Sequence, residues 1–245
     1  MKSFSFLICF SFIFIFSFCA CSKEIVTSKD TAIVSSIPTT IFSKSDSIHY
    51  LALGDSYTIG VAVEIQDNYP NQTTQLLIAE GYKFSPIQII AKNGWAASEL
   101  KLAIDASTKR SSYELVTLLI GVNNQFRGQS VNEFSTQFDT LIKMAISLAG
   151  NQPKRVFVLS LPDLSITPFA EFMDKKAIAN DIDAYNQVCE KYAKQYGTHF
   201  LNITDRYRLE GYKAANLSSD KLHPSKLEYS MWAIPLAQLI KNVVG

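Results

Sequence analysis

Cysteine is scarce in this sequence outside its first residues. Of the four cysteines among 245 residues, Cys9, Cys19 and Cys21 lie close to the N-terminus, and only Cys189 lies further along. With one cysteine in its main part, the chain cannot form an internal disulfide there, which excludes the small disulfide-bonded folds of secreted proteins. The segment around Cys189 has a helical pattern with the thiol on its inward side, so we expect a buried and unreactive cysteine.

Charge of either sign is not in excess either. The chain has 23 lysines and arginines against 22 aspartates and glutamates. Without a basic surplus, nothing in the composition favours nucleic acid as a partner. No cluster of histidine, cysteine and glutamate has the spacing of a zinc site, and no glycine-rich loop has the form that binds phosphate. The sequence therefore predicts no metal and no cofactor.

What the sequence does have is an apolar leader. Residues 1–20 carry a single charge, at Lys2, and residues 4–18 are mostly phenylalanine, isoleucine and serine. This pattern predicts a secretory signal peptide over residues 1–20. The apolar stretch is shorter than the roughly 20 residues that cross a bilayer as a helix.

The leader ends in a segment, residues 18–22, that resembles a bacterial lipobox, although Phe18 replaces the usual leucine. The resemblance implies cleavage before Cys21 and acylation of its thiol, which would anchor the exported protein by lipid to a bacterial membrane of the cell envelope. Residues 21–47, rich in serine and threonine, are then the lipidated N-terminus and a tether. An ordinary signal peptide and an uncleaved anchor are the alternatives, and periplasmic and cell-surface locations are both open.

Residues 48–245 are predicted to form one α/β domain. Apolar runs of strand length alternate with helical patterns, which is typical of βαβ units around a parallel sheet. The predicted strands are residues 49–53, 87–91, 115–120, 155–161 and 198–202. The predicted helices are residues 68–80, 97–106, 131–149, 175–195 and 225–244, with Pro224 expected in the first turn of the last one. In such folds, ligands bind at the carboxyl ends of the strands.

Two segments at opposite ends of this domain hold the groups that acyl transfer needs. Residues 54–57 follow the first predicted strand and present Ser56 on a turn, although a serine there also commonly caps a helix. Near the other end, Asp220 lies three positions before His223, just ahead of the last predicted helix. Serine, histidine and aspartate are the groups that carry out acyl transfer through a covalent intermediate.

Two more polar segments come directly after strands. Gly94 follows the second predicted strand, and Asn123 follows the third. Because the carboxyl ends of parallel strands meet at one edge of a sheet, we expect these residues to converge with Ser56. Glycine lets a bare backbone N–H approach a substrate, and an asparagine amide donates a hydrogen bond without bringing a net charge.

Together, these four segments resemble the sequence blocks of the SGNH/GDSL hydrolase superfamily, in the expected order, over about residues 48–245. The resemblance implies a flavodoxin-like, three-layer α/β/α sandwich with a central five-stranded parallel sheet. It also implies that Ser56 is the nucleophile, that His223 is the general base and that Asp220 orients His223. The oxyanion hole would be formed by the backbone N–H groups of Ser56 and Gly94 and by the side-chain amide of Asn123.

Three positions bear on how closely the site follows the family pattern. Tyr57 replaces the leucine of the motif that names the family, which should alter packing more than chemistry. Asn124 stands where the family often has aspartate, which leaves the support of the neighbouring loop in question. Asp55 is expected to accept hydrogen bonds from N–H groups of its own loop, not to act as a catalytic acid.

The resemblance implies a serine esterase that hydrolyses carboxylic esters through an acyl-Ser56 intermediate, without a metal or cofactor. Its substrates would be short acyl esters or lysophospholipids. Two alternatives stay open at this point: a carbohydrate O-acetyl esterase or acyltransferase of the cell envelope, and a non-catalytic glycan-binding lipoprotein that keeps the fold. The expected partners are a small-molecule, glycan or lipid ester and, through the lipid anchor, the membrane.

Overall fold

The computed structural model describes residues 46–244. The predicted signal peptide, the predicted lipidation site Cys21 and the predicted tether up to residue 45 lie outside the described residues. Over residues 46–244, no helix is long and apolar enough to cross a membrane.

Most of the strands form one parallel sheet. In chain order, the strands are β1 (Ser47–Ile48), β2 (Tyr50–Gly54), β3 (Lys83–Phe84), β4 (Gln88–Ala91), β5 (Leu115–Leu119), β6 (Val156–Leu159) and β7 (His199–Leu201). The two shortest, β1 and β3, pair with each other, and the other five form the central sheet. All of β2, β5 and β6 is buried, as continuous apolar runs between two helical layers should be.

The order of the strands determines where a ligand can bind. The central sheet runs β4-β2-β5-β6-β7, and all of its neighbours are parallel. This is the flavodoxin-like order, in which the direction of winding reverses between the first and third strands of the central sheet, counted along the chain. Those strands are β2 and β5, and they end in register, with Gly54 opposite Leu119. The chain segments that follow these two strands diverge from here and leave a crevice between them.

Helices pack on the sheet and complete the predicted α/β sandwich. They are α1 (Ser56–Ile59), α2 (Tyr69–Ala79), α3 (Ala97–Ala106), α4 (Val122–Phe126), α5 (Val131–Leu148), α6 (Lys175–Tyr196), α7 (Thr204–Glu210) and α8 (Lys226–Val244). Helix α2 packs against α8, whereas α5 packs against α3 and α6. The five predicted helices and the five predicted strands are all present, and all of their ends lie within two residues of the predicted ones.

The start of the last helix differs from the prediction. Pro224 lies before α8 and not in its first turn, because it takes part in an antiparallel bridge with Leu217. The hydroxyl of Ser225 instead accepts a hydrogen bond from the backbone N–H of Glu228, at 3.3 Å. Ser225 therefore caps the helix, as serine commonly does at this position.

A cluster of aromatic rings joins α8 to the rest of the core. Trp232 of α8 is fully buried, and its indole N–H donates a hydrogen bond to Glu228 at 2.8 Å. Glu228 is also buried and pairs with the guanidinium of Arg206 in α7, at 2.7 Å. Four tyrosine rings surround Trp232 at centroid distances between 5.3 and 6.5 Å: Tyr57, Tyr69, Tyr207 and Tyr229. The cluster fixes α8 beneath the turn that carries Ser56.

Cys189 behaves as its sequence context predicts. It is fully buried in α6 and has no disulfide partner within residues 46–244. Burial in apolar surroundings raises the pKa of its thiol far above the ordinary value, so the thiol stays protonated and unreactive.

Candidate active site

Ser56 lies at the carboxyl end of the buried strand β2. It is the first residue of α1, and the residue that caps this short helix is Asp55, not the serine. Gly54 closes the strand because a Cβ atom at this position would collide with the side chain of Thr58 and the carbonyl oxygen of Leu119. The strand and the turn after it therefore approach β5 more closely than any side chain at position 54 would permit.

Asp55 supports the turn from within, as expected. One of its carboxyl oxygens, Oδ1, accepts a hydrogen bond from the backbone N–H of Tyr57 at 3.0 Å. The other, Oδ2, is buried and has no hydrogen-bond partner among the described residues. Desolvation by burial raises the pKa of Asp55 to about 7, although backbone hydrogen bonds and the nearby Asn123 side chain oppose the shift. Since the Tyr57 N–H is already bonded to Asp55, it is not free to bind a substrate oxygen.

His223 and Asp220 are joined by a direct hydrogen bond. The distance from His223 Nδ1 to Asp220 Oδ2 is 2.7 Å, and Asp220 Oδ1 accepts the backbone N–H groups of Leu222 and His223 at 3.0 and 2.9 Å. Lys221 adopts a left-handed conformation, with a φ of 58°, and this tightens the turn that brings the carboxylate back to the imidazole.

The same contacts determine the ionisation of Asp220. Partial burial acts to raise its pKa, but hydrogen bonds from the His223 side chain and from two backbone N–H groups outweigh it and lower the pKa below the ordinary value. An ionised carboxylate can only accept hydrogen bonds. A ring proton of His223 therefore lies on Nδ1, in the hydrogen bond to Asp220.

A single cavity brings the predicted residues from both ends of the domain together. It has a volume of about 90 Å³ and is lined by Ser56, His223 and Asn123. The remaining lining residues are mostly apolar: Tyr57, Asn93, Val122, Phe126, Leu164, Phe169 and Leu222. The cavity lies where the order of the strands opens a crevice, between the segments that follow β2 and β5.

Gly94 itself is not among the lining residues, but Asn93 before it is. Gly94 has a φ of +83°, a conformation that glycine adopts without strain. Its carbonyl oxygen accepts a hydrogen bond from the guanidinium of Arg127 at 2.6 Å, and Arg127 pairs in turn with Glu99 at 2.9 Å. Glu99 also accepts the backbone N–H of Ala96, at 2.7 Å. One ion pair therefore holds the turn at Gly94 at two points, because Arg127 binds the carbonyl oxygen of Gly94 and Glu99 binds the N–H of Ala96.

Asn123 faces the cavity from α4. Its side-chain nitrogen donates a hydrogen bond to the carbonyl oxygen of Trp95 at 3.0 Å. The bond to Trp95 orients the amide, and the same side chain lies close enough to the Asp55 carboxyl to lower its pKa.

Asn124 supports the neighbouring loop, although the family often has aspartate at this position. It is fully buried, and its oxygen accepts the backbone N–H of Ala97 at 2.9 Å. Its nitrogen donates to the side chains of Gln129 and Gln137, at 2.7 and 2.9 Å. The amide therefore supports the loop where it enters α3, with both of its N–H groups and one lone pair of its oxygen engaged.

Sequence reasoning missed the apolar rim of the cavity. Phe126 and Phe169 are 51% and 42% exposed, and their ring centroids lie 6.0 Å apart. Leu164 and Phe169 belong to the segment after β6, so the rule that located Gly94 and Asn123 also points to this segment. An apolar residue after a strand commonly fills the core, so the pattern alone does not mark it as part of a site.

Over residues 46–244, no group of three or more histidine, cysteine, aspartate or glutamate side chains could hold a metal ion.

Comparison with known proteins identifies the family. The model of the GDSL-like lipase/acylhydrolase family matches residues 52–229. The chain belongs to this family. It is therefore an enzyme that hydrolyses carboxylic esters, and the predicted resemblance to SGNH/GDSL hydrolases is confirmed. No curated protein matches the chain.

Solved structures share the fold at low sequence identity. A lipase/acylhydrolase from Enterococcus faecalis is 16% identical with a TM-score of 0.62, over 80% of this chain and 96% of that one. The acetylxylan esterase Axe2 from Geobacillus stearothermophilus is 18% identical with a TM-score of 0.58, over 83% and 97%. The psychrotrophic esterase EstA from Pseudoalteromonas sp. is 14% identical with a TM-score of 0.58, over 80% and 98%.

Proposed function

We propose that this member of the family is a serine esterase in which Ser56, His223 and Asp220 form the catalytic triad. The observation that carries the proposal is that Ser56 and His223, from opposite ends of the domain, line one small cavity while Asp220 holds the imidazole from behind. This arrangement supplies a nucleophile, a base and a group that orients the base, which is what acyl transfer through a covalent intermediate needs.

In the first half of the reaction, the Ser56 hydroxyl oxygen attacks the ester carbonyl carbon and its proton passes to His223 Nε2. The tetrahedral intermediate collapses, the carbon–oxygen bond to the alcohol breaks, and the imidazolium returns the proton to the departing alkoxide. In the second half, His223 removes a proton from water as the water oxygen attacks the acyl-Ser56 carbonyl carbon. The second tetrahedral intermediate collapses, the bond to Ser56 Oγ breaks, and the imidazolium returns its proton to Ser56 as the acid leaves. Asp220 stabilises the positive charge on His223 in both halves.

The negative oxygen of each tetrahedral intermediate would be bound by three donors: the backbone N–H groups of Ser56 and Gly94 and the side-chain amide of Asn123. The engagement of the Tyr57 N–H by Asp55 supports this set, because it removes the donor that directly follows the nucleophile. The ion pair of Arg127 with Glu99 supports it too, because it holds the turn at Gly94 in place before substrate binds.

The cavity favours a short acyl group. Its volume of about 90 Å³ is far below the roughly 300–1,000 Å³ of pockets that enclose drug-sized ligands. The exposed rings of Phe126 and Phe169 at its edge suit an apolar group that extends beyond it, as in a lysophospholipid. A carbohydrate O-acetyl esterase is the second candidate, since an acetyl group fits so small a cavity and acetylxylan esterases share the fold.

Replacing Ser56 by alanine tests the mechanism. Hydrolysis of a short-chain aryl ester should fall by at least about 10⁴-fold in kcat, and an activated phosphonate ester should label the wild type on Ser56 alone. The exposed serine Ser98, replaced by alanine, is the control and should hydrolyse the ester at the wild-type rate. Equal rates for wild type and Ser56→Ala would remove the mechanism. Failure on acetyl sugars, lysophospholipids and aryl esters alike would favour a glycan-binding protein.

We also propose that the protein is exported and anchored to a bacterial membrane through acylated Cys21, with residues 21–47 as lipidated N-terminus and tether. The leader and the lipobox-like segment support this location. The mass of the mature N-terminus tests it: acyl chains on Cys21 are expected, and they should be absent from Cys21→Ser. A free first residue after export would refute lipidation and leave the esterase proposal untouched.

A further inference from the structure

We propose that Tyr57 is a positioning residue for His223. The aromatic ring of Tyr57 holds the imidazole in place and stabilises it when it becomes charged. This inference rests on the proposed function, because it needs His223 to act as the general base. It gives a role to the residue in which this chain departs from the leucine of the family motif.

The two rings are in direct contact. The centroids of the Tyr57 and His223 rings are 5.1 Å apart, with an angle of 54° between their planes. Both side chains are buried, since Tyr57 is 2% exposed and His223 is 5% exposed. Asp220 binds the Nδ1 edge of the imidazole, and Tyr57 packs on the ring itself. The imidazole is therefore restrained by a hydrogen bond in one direction and by an aromatic ring in another.

The ring of Tyr57 is itself held firmly. It packs on Trp232 at a centroid distance of 6.3 Å, and Trp232 is fixed by its hydrogen bond to Glu228. The backbone of Tyr57 is fixed as well, because its N–H donates a hydrogen bond to the Asp55 carboxylate. A ring supported in this way can transmit the rigidity of the core to the imidazole.

The hydroxyl group of Tyr57 does not explain why a tyrosine occupies this position. It is buried and has no hydrogen-bond partner among the described residues. Buried tyrosine hydroxyls usually find a partner, and leaving one unpaired is unfavourable. The part of this side chain that makes a specific contact is the aromatic ring, so phenylalanine should serve as well as tyrosine.

The ring contact should act most strongly during the reaction. A general base has to be neutral before it accepts a proton, and in that role His223 carries a positive charge in the transition states of both acylation and deacylation. The electron-rich face of an aromatic ring attracts a cation more than it attracts a neutral group. The interaction is therefore stronger in the transition states than in the ground state, which is the condition for raising kcat. A leucine at this position fills space but offers no such attraction.

The test compares Tyr57→Phe with Tyr57→Leu on aryl acetate and aryl butyrate. We expect Tyr57→Phe to keep kcat within about two-fold of the wild type, and Tyr57→Leu to lower kcat about ten-fold. Burst kinetics should show acylation and deacylation slowed by similar factors, equally for both esters. A merely steric role in the cavity would instead change with acyl length.

Tyr229→Leu is the matched control. Tyr229 is fully buried, its hydroxyl also lacks a partner among the described residues, and its ring packs on Trp232 at 5.3 Å. This variant should lower the melting temperature as Tyr57→Leu does but retain the kcat of the wild type. If Tyr57→Leu does not fold, Tyr57→Met replaces it, because methionine adapts to irregular spaces without a ring.

Three outcomes would overturn the inference: wild-type kcat in Tyr57→Leu or Tyr57→Met, an equal loss in Tyr57→Phe, or an equal loss in Tyr229→Leu. Ser56→Ala measured in the same assay separates this inference from the proposed mechanism. If Ser56→Ala is inactive while Tyr57→Leu matches the wild type, only the role of Tyr57 fails. If Ser56→Ala remains active, the mechanism fails and the role of Tyr57 with it.

Discussion

The two sides of the active site are built in different ways. On the nucleophile side, Ser56 follows β2, a strand in the interior of the sheet between β4 and β5, and Asp55 beside it is completely buried. On the histidine side, His223 belongs to an irregular segment outside the sheet, in which Asp220 and Lys221 are exposed. The bridge between Leu217 and Pro224 and the hydrogen bonds to Asp220 hold that segment together.

The difference shows which forces position each group. Ser56 is positioned by hydrophobic burial and by the sheet hydrogen bonds of β2, which are shared with the whole core. His223 is positioned by a few specific contacts, mainly hydrogen bonds to the Asp220 carboxylate, each of which contributes about 1.5–3 kcal/mol. A single substitution can therefore misplace the base without unfolding the protein. On the nucleophile side, a comparable change acts on the stability of the core.

The largest effect is expected on the histidine side, from Asp220→Asn. The asparagine oxygen can still accept the backbone N–H groups of Leu222 and His223, but its NH₂ group cannot accept the ring proton of His223. The imidazole should then take the wrong tautomer, and kcat should fall by about 10³–10⁴-fold with little change in melting temperature. Steady-state kinetics and thermal unfolding of the purified domain measure the two quantities.

Asp174→Asn is the control for this prediction. Asp174 caps α6 through a hydrogen bond from the backbone N–H of Ala177 at 3.0 Å, and it does not line the cavity. Both variants thus retain a capping oxygen, and only Asp220→Asn disturbs a histidine. A similar kcat for wild type and Asp220→Asn would mean that the histidine side does not depend on its hydrogen bonds as we suggest.

A smaller effect, on stability alone, is expected on the nucleophile side from Asp55→Asn. Burial raises the pKa of folded Asp55 to about 7, against 3.8 for an ordinary aspartate. Between these values the folded state binds more protons than the unfolded state, so the wild type loses stability as the pH rises through this window. The asparagine variant lacks this loss. Its advantage over the wild type in free energy of unfolding should increase by about 3 kcal/mol from pH 5 to pH 8.

Urea unfolding of both proteins at the two pH values measures this difference. Asparagine can still accept the N–H of Tyr57 through its oxygen, so the turn that carries Ser56 should be preserved. If the difference in stability between the two proteins were the same at pH 5 and pH 8, burial of a charge at Asp55 would not limit the stability of the core.

The sequence was most informative about elements that bury a regular pattern. Helix α3 begins and ends at the predicted residues, and β5 was evident as an almost continuous apolar run. The short helices α1, α4 and α7, with four, five and seven residues, were not predicted. They contain two turns or fewer, so no hydrophobic period can develop in them.

The parts of the site that escaped prediction depend on contacts between distant segments. The support that Asn124 gives to the loop before α3 requires Gln137 of α5, and nothing near Asn124 in the sequence indicates that contact. The approach of Tyr57 to His223 likewise depends on how α8 packs through Trp232. Local patterns locate the groups after each strand, whereas tertiary packing decides which of them touch.

Helix α4 concentrates several tasks in one turn and a half of chain. Asn123 faces the cavity, Asn124 braces the neighbouring loop, Phe126 forms the rim, and Arg127 directly after the helix holds Gly94. Laboratory evolution toward larger substrates through Phe126 should therefore disturb the rate as well, because so short a helix shifts as a unit. Phe169 belongs to a separate segment, after β6, and offers the freer route for changing substrate preference.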